Sequence, residues 1–241
     1  MRTDKKKYIK PPIPFKGNKK NALKILDQEL DQREIKSNTI IDLFGGSGLL
    51  SHFFKVKYPE KRVIFNDFEN YSYRLKCIDD TNERLDELRK LLNGRVKRGS
   101  RIRGEELEKE VGEIFERSKD KRTIASQLIY HAKAHDKENF YNHHLYNNVR
   151  KTPFEKMESY LDGVEVVKKD YKELITDYKE PLYLIDPPYC GTHVEGYAKG
   201  QTPKEWFELF DIMKKMKNYI FFTSEVSISG RILTMSMKVI P

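Results

Sequence analysis

The stretch Asp186-Pro187-Pro188-Tyr189 carries the residue types in this chain that are best suited to chemistry. It follows the apolar run 182–185, which predicts a short buried strand that the two prolines end. Ligands of open α/β sheets bind at the carboxyl ends of the strands, where these side chains would lie. Asp186 and the carbonyl of Pro187 can each accept one hydrogen of an amino group, and Tyr189 can stack on a ring. The stretch therefore predicts a site for a flat ring that carries an amino group. The alternative is a strand that simply ends in a Pro-Pro turn. In that case Asp186 would serve as a cap, and Tyr189 would be a packing residue.

A glycine-rich turn separates a predicted strand from a predicted helix early in the chain. The β-branched run 39–41 leads into Phe44-Gly45-Gly46-Ser47-Gly48, and an apolar helix follows. Glycines allow a tight turn and a close approach of a ligand beside a helix N-terminus. The strict dinucleotide fingerprint is missing because position 51 is not glycine. Hydride chemistry on a nicotinamide cofactor is therefore disfavoured.

Two further positions near the N-terminus suit ligand binding. Asp67 ends the predicted strand 62–66, 19 residues after Gly48, about where a doubly wound fold binds ribose hydroxyls. A helix cap is the alternative role for this carboxylate. Lys19 lies in a Gly-Asn turn before a helix predicted over about residues 20–32. It suits a carboxylate or a phosphate, and a solvated lysine fits equally.

The middle of the chain, from about residue 70 to 160, has helical spacing and a dense basic run. The run lies between Gly94 and Gly104, contains no acid, and holds Arg95, Lys97, Arg98, Arg101 and Arg103. It suits a phosphate backbone or, equally, a solvated loop. Farther along, aromatic residues accompany Asn147, Asn148 and Arg150, which are residue types that read base edges and contact stacked bases.

Four histidines in this region raise the question of a metal site. His131, His135, His143 and His144 have no cysteine nearby, and the neighbouring acids show no recognised ligand spacing. We therefore expect no metal.

The composition narrows the class of protein and of partner. The net charge is +9 and the isoelectric point is about 9.2, which favours a polyanion where the basic residues cluster. Cys77 and Cys190 form no disulfide framework or zinc spacing. No apolar run is long enough to span a bilayer, and no apolar stretch follows the basic start as in a signal peptide. We expect a protein of the reducing cytoplasm without a membrane partner.

In their order and spacing, these motifs resemble the Dam-type DNA adenine-N6 methyltransferases, most closely the phage-type members. The resemblance covers about residues 11 to 225 and rests on the segment 15–19, Phe44-x-Gly46-x-Gly48, Asn66-Asp67 and Asp186-Pro187-Pro188-Tyr189. It implies an α/β, Rossmann-like methyltransferase sheet made of residues 1–75 and 160–241. Residues 76–159 would be an inserted, mostly helical target-recognition segment that binds double-stranded DNA.

The resemblance also implies a site for S-adenosylmethionine across the edge of the sheet. Phe15 and Lys19 would border the methionine end of this cofactor, and Phe44, Gly46 and Gly48 would pass under it. Asp67 would hold the ribose, Tyr171 would pack on the adenine, and Asp186 would border both substrates.

The predicted chemistry is methyl transfer to an exocyclic nitrogen whose lone pair is delocalised into the adenine ring. Acceptors at Asp186 and Pro187 would favour a pyramidal nitrogen with an available lone pair. Pro188 completes the motif, and Tyr189 would stack on a base that has left the helix. No metal and no covalent enzyme intermediate are needed.

Several alternatives stay open. Related motifs serve cytosine-N4 and RNA methyltransferases. Only 17 residues follow Ser224, so we expect the last hairpin of the sheet to be short or absent. A catalytically impaired module that binds DNA or cofactor is therefore a second hypothesis. A monomer is expected. The target sequence, and a role in restriction-modification beside a cognate restriction endonuclease, are left open.

Overall fold

In the computed structural model, which describes residues 7–15, 20–129, 137–188 and 202–222, five parallel strands form one sheet. The strand order is β3-β2-β1-β4-β5, so the order reverses between β1 and β4. The strands are β1 (Thr39–Asp42), β2 (Arg62–Asn66), β3 (Val164–Val167), β4 (Leu182–Ile185) and β5 (Tyr219–Phe221). This arrangement confirms the predicted Rossmann-like α/β fold.

Helices connect the strands, as parallel pairing requires. Helix α1 (Lys20–Asp31) precedes β1, and the helices α2 (Leu49–Lys57), α7 (Tyr171–Thr176) and α8 (Pro203–Met213) each connect one strand to the next. Between β2 and β3 the chain forms α3 (Tyr71–Lys76), α4 (Ile78–Leu92), α5 (Glu105–Arg117), α6 (Lys121–Leu128) and a 3₁₀ turn (Lys137–Asn142). Within the described ranges, no helix has the length and apolar character that crossing a membrane requires.

Helix α8 covers the sheet beneath its carboxyl edge. Thr202 and Glu205 form a reciprocal capping box that starts the helix. Trp206, Leu209 and Met213 then share one face and pack with β-strand residues in an apolar cluster. The helix ends at Met213, where the chain tightens into i→i−3 hydrogen bonds before β5 begins.

The described residues 72–129 and 137–156 form a second compact, mostly helical unit. Inside it, the buried guanidinium of Arg74 donates to Asp120 (3.2 Å) and Thr123 (2.8 Å). The rings of Phe115 and Phe140 stack at 3.8 Å between centroids. The assignment of target recognition to this part of the chain stays a prediction.

Candidate active site

The site begins where the strand order reverses. Asp42 of β1 pairs with Leu184 of β4, and the amide of Leu43 donates to the carbonyl of Leu184 at 3.0 Å. The two strands therefore end side by side, one leading into the glycine turn and the other into Asp186. A reversal of strand order opens a crevice at this edge of a sheet, because the flanking connections leave in opposite directions. Asp186 is half-buried there, and Pro187 is buried.

The glycine turn has backbone angles that residues with a side chain rarely adopt. Gly46 and Gly48 have φ angles of 53° and 71°, in the left-handed region. A Cβ on Gly45 would lie 2.2 Å from the ring of Phe65, so this glycine lets the turn lie directly on β2. A Cβ on Gly46 would lie 3.1 Å from Cε1 of Phe15. The structure thus brings Phe15 and Gly46, two predicted cofactor residues, into contact.

The side chain of Asn66 joins the ends of three strands. Its amide nitrogen donates to the carbonyls of Leu43 and Lys169, each at 3.0 Å. Its amide oxygen accepts from the backbone N–H of Lys169, also at 3.0 Å. Asn66 is 2% exposed and its bond to Leu43 is buried, whereas its two bonds to Lys169 are partly buried. Leu43 leads into the glycine turn after β1, and Lys169 lies in the segment between β3 and Tyr171. One side-chain amide therefore holds the starts of these two segments together.

Asp67 lies at the end of β2 and is 3% exposed. Its backbone N–H donates to the carbonyl of Val167 at 2.8 Å, and its Oδ1 accepts from the N–H of Tyr71 at 2.5 Å. The carboxylate thus makes the cap contact that was the alternative to ribose binding, and ribose binding stays a prediction. The next residue, Phe68, is 50% exposed at the same edge.

The buried residue Tyr71 connects this strand end to the N-terminal segment. Its hydroxyl donates to the carbonyl of Ile13 at 2.5 Å and accepts from the N–H of Ile13 at 3.0 Å. Its ring meets the ring of Phe15 edge-on, with 5.8 Å between centroids. Tyr71 therefore contacts the segment that carries Phe15 as well as Asp67.

Two aromatic rings lie together near the exits of β1 and β3. Phe44 and Tyr171 have centroids 5.1 Å apart and an interplanar angle of 38°. Burial raises the pKa of Tyr171, so its hydroxyl stays neutral at physiological pH. Both rings pack against the apolar cluster that contains Trp206. Lys19 and Tyr189, the other predicted contacts, lie outside the described residues.

Comparison with known proteins identifies the family. The model of the D12 class of N6 adenine-specific DNA methyltransferases matches residues 15–231. The chain belongs to this family. It is also 34% identical over 238 residues to a protein of Haemophilus influenzae, and the match covers 93% of this chain and 79% of that protein. That relative carries a provisional methyltransferase name with no stated substrate.

Membership in the D12 class confirms the family and the enzyme class that the motifs predict. It supports methylation of DNA at adenine N6, with DNA as substrate and S-adenosylmethionine as the donor that methyltransferases generally use. Among the residues described, no group of three or more His, Cys, Asp and Glu side chains is placed to hold a metal ion.

The basic run of this D12-class chain is an ordered loop in the second unit. Arg101 and Tyr146 form an antiparallel bridge. The backbone N–H of Asn147 donates to the carbonyl of Ser100 at 2.9 Å, and its side-chain amide donates to the backbone carbonyl of Val96 at 2.8 Å. Asn147 therefore holds the loop in place. Asn148 lies next to it and is half-buried.

The predicted DNA-binding cations divide into two groups. Arg95 forms a two-pronged contact with Glu110. The guanidinium of Arg150 contacts Thr152 and lies 3.8 Å from the ring centroid of Phe154. Burial and the charge of Arg89 lower the pKa of Arg150. Exposed cations that form no ion pair with any described residue are Lys97, Arg98, Arg101 and Arg103.

A concavity of about 540 Å³ lies between the end of α4 and the basic loop. Its lining includes no acid and five cations: Arg89, Lys90, Lys97, Arg98 and Lys151. Sequence reasoning missed Lys90 and Lys151 because they are far from the basic run along the chain. It also missed the hydrogen bonds that Asn66 and Tyr71 make. Phe68 was missed as well, although an aromatic residue directly after a strand-end acid is a signal that the sequence does contain.

Asn66→Ala tests the joint between the strand ends. The change leaves the buried carbonyl of Leu43 and the partly buried carbonyl and N–H of Lys169 without their partner. We expect it to lower the free energy of unfolding by about 1–3 kcal/mol. Urea unfolding followed by circular dichroism measures the loss. Asn218→Ala is the control, because Asn218 is exposed and contributes its backbone carbonyl to Tyr183. An equal loss in both variants would show that the Asn66 amide is dispensable.

Proposed function

We propose that the chain transfers a methyl group from S-adenosylmethionine to N6 of an adenine within a specific sequence of double-stranded DNA. The observation that carries the proposal is the meeting of the glycine turn and Asp186 at the reversal of strand order. One loop carries glycines whose backbone groups a ligand can approach, and the other offers acceptors for an amino group. The two halves of a methyl-transfer site thus arise from neighbouring strands.

The described residues fit S-adenosylmethionine. The positive φ angles of Gly46 and Gly48 favour glycine, so these positions add no side chain to the turn. The turn leads directly into α2, whose N-terminal amides suit the carboxylate of the cofactor. Phe44 and Tyr171 offer a broad aromatic surface for its adenine, and Asp67 offers acceptor oxygens for the ribose. When bound, S-adenosylmethionine supplies an electrophilic methyl group on sulfur.

Asp186 and Pro187 act on the target amino group. The lone pair of adenine N6 is delocalised, so N6 is a weak nucleophile until its hydrogens are held out of the ring plane. The carboxylate of Asp186 and the carbonyl of Pro187 each accept one of these hydrogens, which stabilises the positive charge that develops on nitrogen. Pro188 restricts the backbone that aims this carbonyl. The extruded base would stack on Tyr189.

Product analysis tests the base assignment. Purified chain, labelled S-adenosylmethionine and mixed-sequence duplex DNA are expected to yield N6-methyladenine after nucleoside digestion and mass analysis. N4-methylcytosine would keep the reaction type and overturn the target base. Absence of transfer despite cofactor binding would favour the non-catalytic hypothesis.

Asp186→Ala tests the catalytic assignment. Removing one acceptor of the developing charge is expected to lower kcat by about 10²-fold to 10³-fold, by analogy with the loss of one oxyanion-hole donor. DNA binding, measured by fluorescence anisotropy, is expected to persist. Asp211→Ala is the matched control, because Asp211 is exposed on α8 and pairs only with Lys214 among the described residues. Turnover that survives in Asp186→Ala would overturn the mechanism.

The second unit supplies a surface for the DNA backbone in this proposal. Cations that form no internal ion pair lose no partner when a phosphate replaces their counterions, so Lys97 and Arg98 are better placed than Arg95. Both line the acid-free concavity together with Lys151. The concavity therefore favours a bound phosphate over a solvated loop.

Replacing Lys97 and Arg98 together with glutamine tests this surface. Loss of two phosphate contacts is expected to reduce the slope of log K against log salt by about 2, because each contact contributes about 0.9. The control replaces Lys36 and Lys179, two exposed lysines that precede β1 and β4 at the opposite edge of the sheet. The surface assignment fails when the slope is unchanged, or when the control changes it equally.

A further inference from the structure

Tyr71 lies where three predicted contributors to the cofactor site meet. Its backbone N–H binds Oδ1 of Asp67 at the end of β2. Its ring contacts Phe15, which lies against Gly46 of the glycine turn. Tyr71 is 0% exposed and the cofactor chemistry assigns it no role. Tyr71 is therefore of interest for its contacts with both Asp67 and Phe15, and not for the reactivity of its hydroxyl.

The hydroxyl of Tyr71 binds both backbone polar groups of one residue. It donates to the carbonyl of Ile13 and accepts from the N–H of the same residue, 58 positions earlier in the chain. Ile13 is 1% exposed, so water has little access to replace the hydroxyl. The segment 7–15, here called the N-terminal arm, contains no helix or strand. Specific side-chain contacts therefore hold the arm.

A second contact holds the arm at the other end. The N–H of Tyr8 donates to Nε2 of His52 at 3.0 Å, while Nδ1 of His52 lies 2.7 Å from the carbonyl of Tyr160. Because a backbone N–H only donates and a carbonyl only accepts, His52 is the neutral tautomer with its proton on Nδ1. This contact lies five residues before Ile13. The contacts of Tyr71 lie nearer to Phe15.

We propose that Tyr71 is a positioning residue that couples the ribose contact at Asp67 to the placement of the N-terminal arm. The inference rests on the proposed function, because it requires S-adenosylmethionine to bind at Asp67 and Phe15. A cofactor that restrains Asp67 also restrains the N–H of Tyr71 and, through its hydroxyl, Ile13 and Phe15. The coupling is reciprocal, so an arm that is already held raises the affinity for the cofactor.

Tyr71→Phe is the direct test, because it keeps the buried ring and removes only the hydroxyl. Loss of both hydrogen bonds to Ile13 is expected to raise the Kd for S-adenosylmethionine about tenfold in isothermal titration calorimetry. The KM for the cofactor is expected to rise similarly, while kcat at saturating cofactor changes less than about twofold. The control is Tyr183→Phe, which removes a hydroxyl that donates to the carbonyl of Ile175 at 2.9 Å in the same unit.

Hydrogen exchange gives a readout that a purely structural tyrosine would not move. In the wild-type chain, S-adenosylmethionine is expected to slow exchange at the amide of Ile13. In Tyr71→Phe that amide is expected to exchange faster, and protection by the cofactor is expected to shrink. Tyr183→Phe is expected to leave both the exchange and its protection unchanged.

A second variant tests whether the effects share one route. Phe15→Leu alters the arm without touching the hydroxyl of Tyr71. When both changes act through the placement of the arm, the double variant raises the Kd less than the product of the two single effects. Full multiplication of the two effects would contradict coupling through the arm.

The outcomes separate this proposal from the proposed function. A wild-type chain that binds no S-adenosylmethionine overturns the proposed function and this inference with it. A wild-type chain that binds, with an unchanged Kd in Tyr71→Phe, overturns the coupling alone. An equal rise of Kd in Tyr183→Phe also overturns it, because a general loss of stability would then explain the effect.

Discussion

The candidate site depends on the parallel pairing of β1 with β4. Both strands run in the same direction and pair in register at Asp42 and Leu184, so their carboxyl ends lie at one edge. The chain leaves β1 toward β2 and leaves β4 toward β5, on opposite sides of this pair. Without that reversal, a connection would cover the edge where the glycine turn and Asp186 meet. The register thus decides which loops face each other before any side chain is considered.

Polar side chains then fix the geometry of this edge, and an apolar cluster supports it. Asn66 and Tyr71 are both buried, and each satisfies backbone groups of residues remote in sequence. These hydrogen bonds hold loop segments that have no strand or helix hydrogen bonds of their own. Losing one of them costs free energy of folding, because water has little access to replace the missing partner. Beneath them, Trp206 and its neighbours pack against the strands and the ring of Tyr171. Buried side chains therefore support the edge from several elements, while glycines form the turn itself.

Much of this arrangement could be predicted from local sequence. Runs of β-branched and apolar residues end at Gly, Pro or Asp, and these ends marked the strands β1, β2 and β4 closely. The order of the motifs also indicated the family, which the family model confirmed. The contacts of Asn66 and Tyr71 had no such signal, because they join residues 23 to 103 positions apart and follow no period.

Electrostatics shows the same difference between local and spatial information. The sequence shows five basic residues in the run 95–103 and gives no reason to prefer one of them over another as a phosphate contact. In the fold, Glu110 on α5 lies beside Arg95, and Asp86 pairs with Lys90. Lys97 and Arg98, by contrast, face a concavity that Lys151 shares. A cation with an internal partner must lose that partner, or share it, before it binds a phosphate, and this reduces its net contribution. The charge that is available to a polyanion is therefore a property of how the helices place their acids, and the linear sequence does not show that placement.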